Sequence, residues 1–168
     1  LACAECARFT GGVLPDLLGV AGELGVRVEW HHAPAAATGA GVLAAEASEC
    51  VAAAHGAEGF WSFVAAVSAA RSSWASMVSP QEYFVEAADS LGLGAPGLEE
   101  CVLDRLAARE VSVAAESARN LGLVERPTVF VGGIPVADPF DVDEVAGLVG
   151  VLQREPQVNV EILPLPVT

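Results

Sequence analysis

A long alanine-rich stretch without a strand pattern, residues 39–123, constrains the architecture of this chain more than any other part of the sequence. Apolar residues recur through it at helical spacing, and glycines and prolines such as Gly56 and Pro80 interrupt it, so it predicts four or five short helices. Ser79 and Pro80 predict one helix start, with a cap followed by a proline at the first helical position. Strand patterns occur only before and after this stretch.

The segments on either side carry different patterns. Ala4–Leu24 has helical periodicity, with a kink expected at Pro15 and an end at Gly25, and Val26–Trp30 alternates apolar and charged residues like a strand. After the helical stretch, Thr128–Val131, Gly132-Gly133 and Ile134–Ala137 predict a β-hairpin. Asp141–Leu152 predicts a closing helix that Asp141 caps.

Composition and charge exclude several classes of protein. The chain has 168 residues, which favours one domain, with or without an inserted subdomain. Its most apolar run, Val51–Ala70, contains His55 and Glu58. We therefore expect a buried amphipathic helix there and no membrane contact by this chain. Twenty-two acidic residues against eight arginines give a net charge of -14, which repels phosphate backbones, so nucleic acid is not an expected partner.

Cys3 and Cys6 form a C-x-x-C pair at the start of the first predicted helix. The exposed amides and positive dipole at a helix start stabilise a thiolate, which makes Cys3 the expected nucleophile and Cys6 the resolving cysteine. A structural zinc site is the alternative, but it needs two further ligands at short spacing, and Cys50 and Cys101 stand alone. We therefore expect no metal.

The residues around this pair resemble the active-site helix and following strand of DsbA-like thioredoxin-fold thiol-disulfide oxidoreductases. The similarity continues through a helical insert to a proline-containing hairpin and covers residues 1 to about 152. The matching segments are Cys3–Phe9, Val13–Pro15, Val26–His32, Ala44–Glu46 with Cys50, Gly56 and Phe60-Trp61, Leu121–Leu123, and Arg126–Gly133.

This resemblance implies an α/β, thioredoxin-like fold with an inserted all-helical subdomain. Residues 1–38 and 122–153 would form the core, 39–121 the insertion, and 154–168 a C-terminal extension. A thioredoxin sheet also has a central strand directly before the C-x-x-C helix, where only Leu1-Ala2 stand here. We expect that strand to be missing through truncation; alternatively, Val158–Ile162, which alternates like a strand, fills its place in cis, swaps into a partner, or starts another domain.

The resemblance also assigns the site. Pro127 would be a cis-proline facing the dithiol, and Arg126 and Thr128 beside it would bind an extended substrate segment. Between the cysteines, Ala4 and Glu5 replace the proline and the aromatic or histidine residue common in the family. The Glu5 carboxylate disfavours a thiolate at Cys3, so we expect a weaker oxidant or a reductase, unless Arg126 offsets that charge.

The function expected from the sequence is thiol-disulfide exchange without a cofactor. Its partners would be protein or peptide thiols and disulfides, and a redox protein that regenerates the pair. A redox-silent thioredoxin-like binding module is the alternative from another class. Cys50 and Cys101 are expected to form a structural disulfide, with two buried free thiols as the alternative; a bridge would favour the periplasm or cell envelope over the cytoplasm.

Overall fold

The computed structural model describes residues 1–123 and 126–154, which are mostly helical. The single sheet among them is a two-stranded antiparallel hairpin in which Val131 pairs with Ile134. In chain order the elements are α1 (Ala4–Gly12), α2 (Leu14–Leu24), α3 (Ala40–Ala69), α4 (Arg71–Trp74), α5 (Gln81–Ser90), α6 (Leu98–Leu103), α7 (Ala108–Asn120), β1 (Phe130–Val131), β2 (Ile134–Pro135) and α8 (Val142–Arg154).

The expectation of an α/β, thioredoxin-like fold is therefore wrong for the described chain. Val26–Trp30, predicted as a strand, is neither helix nor strand. A strand exists only where a neighbouring strand satisfies its backbone N–H and C=O groups, and no other strand of the described residues lies beside this segment. The possible strand Val158–Ile162 lies outside the described residues.

The first predicted helix is two helices. α1 ends at Gly12, α2 begins at Leu14, and Val13 between them has φ -111°. Pro15 lies in the first turn of α2, where its missing N–H costs nothing, whereas in the middle of a continuous helix it would clash with the preceding turn. The proline therefore separates two helices instead of bending one.

Between residues 39 and 121 the chain forms α3 to α7, in line with the predicted helices. Pro80 precedes α5, but the Ser79 hydroxyl does not cap that helix. α3 is long and apolar enough, by length and composition, to cross a membrane. Gly56 interrupts it, however, and its two halves contribute many buried residues to the interior, which is the composition of a core helix.

The buried side chains form two main clusters. The larger one, from α3, α4, α5 and α6, includes the fully buried Phe63, Trp74 and Phe84. The second joins α1 and α2 to the hairpin and α8 through Phe9, Leu17 and Val145. Contacts between α1 and α3 connect the two clusters, so the start of α1 lies where they meet.

The hairpin and the closing helix agree with the local sequence signals. Gly132 and Gly133 form the turn with positive φ, and Val136 N donates to Val129 O at 2.9 Å. Asp141 accepts a hydrogen bond from Glu144 N at 3.0 Å and thus caps α8.

Candidate functional site at the Cys3–Cys6 disulfide

Cys3 is the N-cap residue of α1 and is bonded to Cys6 by a disulfide. Its extended backbone (φ -82°, ψ 147°) turns the side chain over the first turn, where Sγ accepts a hydrogen bond from Cys6 N at 2.8 Å. The free N–H groups of a helix start stabilise negative charge. After reduction, the same geometry would place a Cys3 thiolate against these donors.

The two cysteines differ in exposure. Cys3 is half-buried, whereas Cys6 is buried, at 9% exposed. One turn later, the buried Thr10 hydroxyl donates to Cys6 O at 3.0 Å, which fixes this part of α1. A reagent from solvent therefore reaches Cys3 more easily than Cys6.

The loop before β1 lies against the Cys3 sulfur. The Arg126–Pro127 peptide bond is cis, and the Arg126 carbonyl oxygen is 3.9 Å from Cys3 Sγ. The Arg126 Nε donates a hydrogen bond to Ala33 O. The loop, the segment after α2 and the start of α1 thus meet at the disulfide, although 123 residues separate Cys3 from Arg126.

A cleft of about 410 Å³ opens beside this contact. Its lining includes the charged Glu5 and Arg126 and the apolar Pro139 and Phe140. Arg8 forms an ion pair with Glu5 at 2.7 Å and lies 4.2 Å from the centre of the Phe140 ring. The Glu5 carboxylate next to the disulfide therefore already has a cationic partner, and both groups are exposed to solvent.

A side chain from α4 holds Ala2, the residue before Cys3. Arg71, the first residue of α4, donates a hydrogen bond from Nε to Ala2 O. This contact fixes the chain that enters α1 and so helps to position the Cys3 side chain.

His32 belongs to a buried polar network and does not contact the disulfide sulfurs through any hydrogen bond in the described residues. Trp30 Nε1 donates to His32 Nδ1 at 3.2 Å, and His32 Nε2 lies 2.8 Å from Glu49 Oε1. Because the indole can only donate, Nδ1 accepts, and Nε2 carries the proton toward Glu49. The imidazole thereby joins the segment after α2 to α3.

Cys50 and Cys101 are bonded to each other and link α3 to α6 at the larger buried cluster. All four cysteines of the chain are thus in disulfides. Two disulfides in one chain favour an oxidising, extracytoplasmic environment. The described residues contain no cluster of three or more metal-ligating side chains. Cys3 and Cys6, which the zinc alternative would use as ligands, are bonded to each other.

The structure brings most of the sequence-predicted site residues together: Cys3, Cys6, Ala4 and Glu5 on α1, and Arg126, Pro127 and Thr128 on the loop opposite. Sequence reasoning missed Arg8, Phe140 and Arg71. Arg8 could have been found, because it is three residues after Glu5 on the same helix. Nothing in the local sequence places Phe140 or Arg71 at the site.

Comparison with family models, curated proteins and solved structures found no match to this chain.

Proposed function

We propose that this chain is a thiol-disulfide oxidoreductase in which Cys3 exchanges with substrate sulfurs and Cys6 is the resolving cysteine. The observation that carries the proposal is the position of Cys3: its sulfur caps α1, accepts from Cys6 N, and is more exposed than its partner. The resemblance of the two motifs to DsbA-like proteins supports the same activity.

In the oxidising direction, a substrate thiolate attacks Cys3 Sγ in line with the disulfide. A bond forms between the substrate sulfur and Cys3, the Cys3–Cys6 bond breaks, and Cys6 leaves as a thiolate. A second substrate thiolate then attacks the substrate sulfur of the mixed disulfide and releases Cys3 as a thiolate, which the helix start stabilises. Two electrons pass from the substrate to the pair, and the reverse sequence reduces a substrate disulfide.

The substrates proposed are protein or peptide thiols and disulfides, which approach Cys3 through the concavity that Cys3, Arg126 and Pro127 line. A redox partner resets the pair after each turnover, and no cofactor is required. The net direction follows from the reduction potential of the pair relative to its compartment. We place that compartment in the periplasm or cell envelope, where the Cys50–Cys101 bridge would persist.

The test is alkylation of the reduced protein, with each cysteine followed by mass spectrometry. Cys3 should react with iodoacetamide faster than glutathione does near neutral pH. In Cys6→Ser, Cys3 should attack a disulfide substrate and accumulate as a mixed disulfide, while the other substrate sulfur leaves as a thiolate. The matched control, Cys50→Ala with Cys101→Ala, should keep both behaviours. A Cys3 that reacts no faster than glutathione, in a pair that does not re-form its disulfide, would indicate the redox-silent binding module instead.

A further inference from the structure

Ala2, the residue before Cys3, is in close contact with the start of α3. Leu1 and Ala2 both pack against the larger buried cluster. A Cβ placed on Gly41, the second residue of α3, would lie 2.9 Å from the Ala2 Cβ, whereas carbon atoms in contact are usually about 3.5–4.0 Å apart. Gly41 thus lets α3 approach Ala2 more closely than any other residue would allow.

The second contact of Ala2 comes from α4, where Arg71 Nε donates a hydrogen bond to Ala2 O. A peptide group is planar, so the Ala2 carbonyl group and the N and Cα atoms of Cys3 move as one unit. Contacts that fix the Cβ and the carbonyl oxygen of Ala2 therefore also fix the point from which the Cys3 side chain extends. From there the Cys3 Sγ reaches Cys6 N at 2.8 Å and lies 3.9 Å from Arg126 O.

These two contacts matter most when the pair is reduced. In the oxidised protein the covalent bond to Cys6 holds the Cys3 sulfur in place by itself. After reduction, Cys3 depends on its neighbour Ala2 and on its own carbonyl oxygen, which accepts a hydrogen bond from Ala7 N at 3.1 Å. A displaced Cys3 thiolate would lose the N–H groups of the helix start, which stabilise its charge. Loss of the Ala2 contacts should therefore destabilise the reduced form more than the oxidised form.

Arg71 also brings a positive charge to the start of α1. Its Nε contacts the peptide group that joins Ala2 to Cys3, and a nearby cation favours a cysteine thiolate over the thiol. The first turn of α3 contains no charged residue that would oppose this effect. Charged or titratable side chains lie on the other elements that meet at the pair, which are α1, the segment after α2 and the loop before β1: Glu5, Arg8, His31, His32 and Arg126. A substitution of Arg71 leaves all of these in place.

We propose that Gly41 and Arg71 are positioning residues for Cys3, which hold Ala2 from α3 and from α4 and, through the charge of Arg71, favour the Cys3 thiolate. This role rests on the proposed function, because it gives the helical cluster a share in the reactivity of the same cysteine. Both residues act through Ala2, and neither belongs to the redox pair. The reactivity of Cys3 then depends on the packing of α3 and α4 as well as on α1.

Gly41→Ala tests the contact between α3 and Ala2. The added methyl group should displace Ala2, so that iodoacetamide alkylates reduced Cys3 about threefold more slowly on the rising part of the pH profile. The Cys3–Cys6 disulfide should also become harder to reduce with glutathione, because the variant destabilises the reduced form more. A loss of stability shared equally by the two redox forms would leave this equilibrium unchanged. Gly19→Ala, at a helical position where a Cβ meets no atom within 4 Å, should change neither quantity.

Two substitutions of Arg71 test the role of its charge. Arg71→Met should lower the alkylation rate of Cys3 about threefold on the same part of the pH profile. Arg71→Lys keeps the charge and one hydrogen-bond donor, so it should restore most of that rate. Arg119→Met, which removes an exposed arginine on α7, should have no effect. Equal losses in Arg71→Met and Arg71→Lys would overturn the role of the charge.

The unchanged protein, measured in the same experiments, separates this proposal from the proposed function. If its Cys3 is alkylated no faster than glutathione, the proposed function fails. If its Cys3 reacts rapidly, but folded Gly41→Ala and Arg71→Met match it in both rate and disulfide equilibrium, the positioning role alone is overturned. Circular dichroism establishes that each variant is folded, and if Gly41→Ala is not, the Arg71 variants decide.

Discussion

Cys3 and Cys6 are three residues apart in the sequence, yet their surroundings differ, and in the proposed exchange this difference would give them different roles. The Cys3 sulfur lies at the N-terminal end of the helix against Cys6 N and the Arg126 carbonyl oxygen, and Cys3 is half-buried. Cys6 faces the interior. A thiolate is more stable at the first position, and a sulfur at the second is shielded from competing attack, so the asymmetry comes from the helix start itself.

A substitution at Glu5 tests how strongly a neighbouring charge affects the reactivity of Cys3 and the reduction potential of the Cys3–Cys6 pair. Glu5→Gln should raise the rate at which iodoacetamide alkylates reduced Cys3, and make the disulfide more oxidising, because removing a negative charge favours the thiolate. The increase should be only about two- to threefold, since Arg8 already pairs with the carboxylate and solvent screens both groups. Asp16→Asn, an equivalent change outside the cleft, should have no effect. A rate that stays constant or falls in Glu5→Gln would contradict the prediction.

The hydrogen bond from His32 lowers the pKa of Glu49 below its ordinary value of 4.5, against the opposing effect of partial burial. The folded state therefore holds this proton less tightly than the unfolded chain does. The resulting stability is present above the ordinary pKa and is lost as the pH falls through the lowered value in the folded protein.

Glu49→Gln should remove this dependence while still accepting the hydrogen bond from His32. The denaturant midpoint of the unchanged protein should fall more on acidification from neutral pH than that of the variant. Glu58→Gln, an exposed position on the same helix, should follow the unchanged protein. Parallel acid profiles for the unchanged protein and Glu49→Gln would show that the pair does not contribute to the pH dependence.

At the scale of elements, the break in α3 depends on one glycine. Gly56 has φ 66° and ψ -159°, and a Cβ placed there would meet no atom within 4 Å. An alanine at this position is therefore disfavoured by the backbone conformation alone, and Gly56→Ala should destabilise the protein by about 1–3 kcal/mol in urea unfolding.

Gly22 provides the matched control. A Cβ placed there also meets no atom within 4 Å, whereas the backbone at Gly22 is helical. Gly22→Ala should stabilise the protein by about 0.5–1 kcal/mol. If both alanine substitutions changed the free energy of unfolding in the same direction, the conformational explanation would be contradicted.

Elements defined by local signals were predictable from the sequence, and elements that need a distant partner were not. Gly132-Gly133 between two β-rich runs and the Asp141 cap gave the hairpin and α8 near their observed positions. Pro15 indicated an interruption but not whether it would bend or end the helix. Val26–Trp30 alternates like a strand, but whether such a segment forms one depends on a neighbour that its own sequence cannot specify.

At the scale of the molecule, the site unites residues that are distant in the sequence. The approach of Arg126 to Cys3 was expected only through a family resemblance, because no local pattern relates positions 123 residues apart. The contacts of Phe140 and Arg71 were not expected at all, since they depend on how α8 and α4 pack around α1. The sequence alone identifies candidate reactive cysteines, whereas tertiary packing determines which other groups surround them.

The two disulfides should separate stability from activity across the whole molecule. The Cys50–Cys101 bond closes a loop with a sequence separation of 51, so Cys50→Ala with Cys101→Ala should lower the free energy of unfolding by about 4 kcal/mol in the chain-entropy view, while the reduced Cys3 keeps its alkylation rate. The Cys3–Cys6 bond closes a far shorter loop, so Cys3→Ala with Cys6→Ala should lower the free energy of unfolding by about half as much. The same double variant should abolish exchange with substrate thiols. Denaturant unfolding and thiol exchange, measured on both double variants, provide the comparison. A bridge that only holds α3 to α6 should not affect the reactivity of the Cys3 sulfur. Loss of exchange in the Cys50/Cys101 variant while its α1 remains folded would therefore mean that the second disulfide takes part in the chemistry.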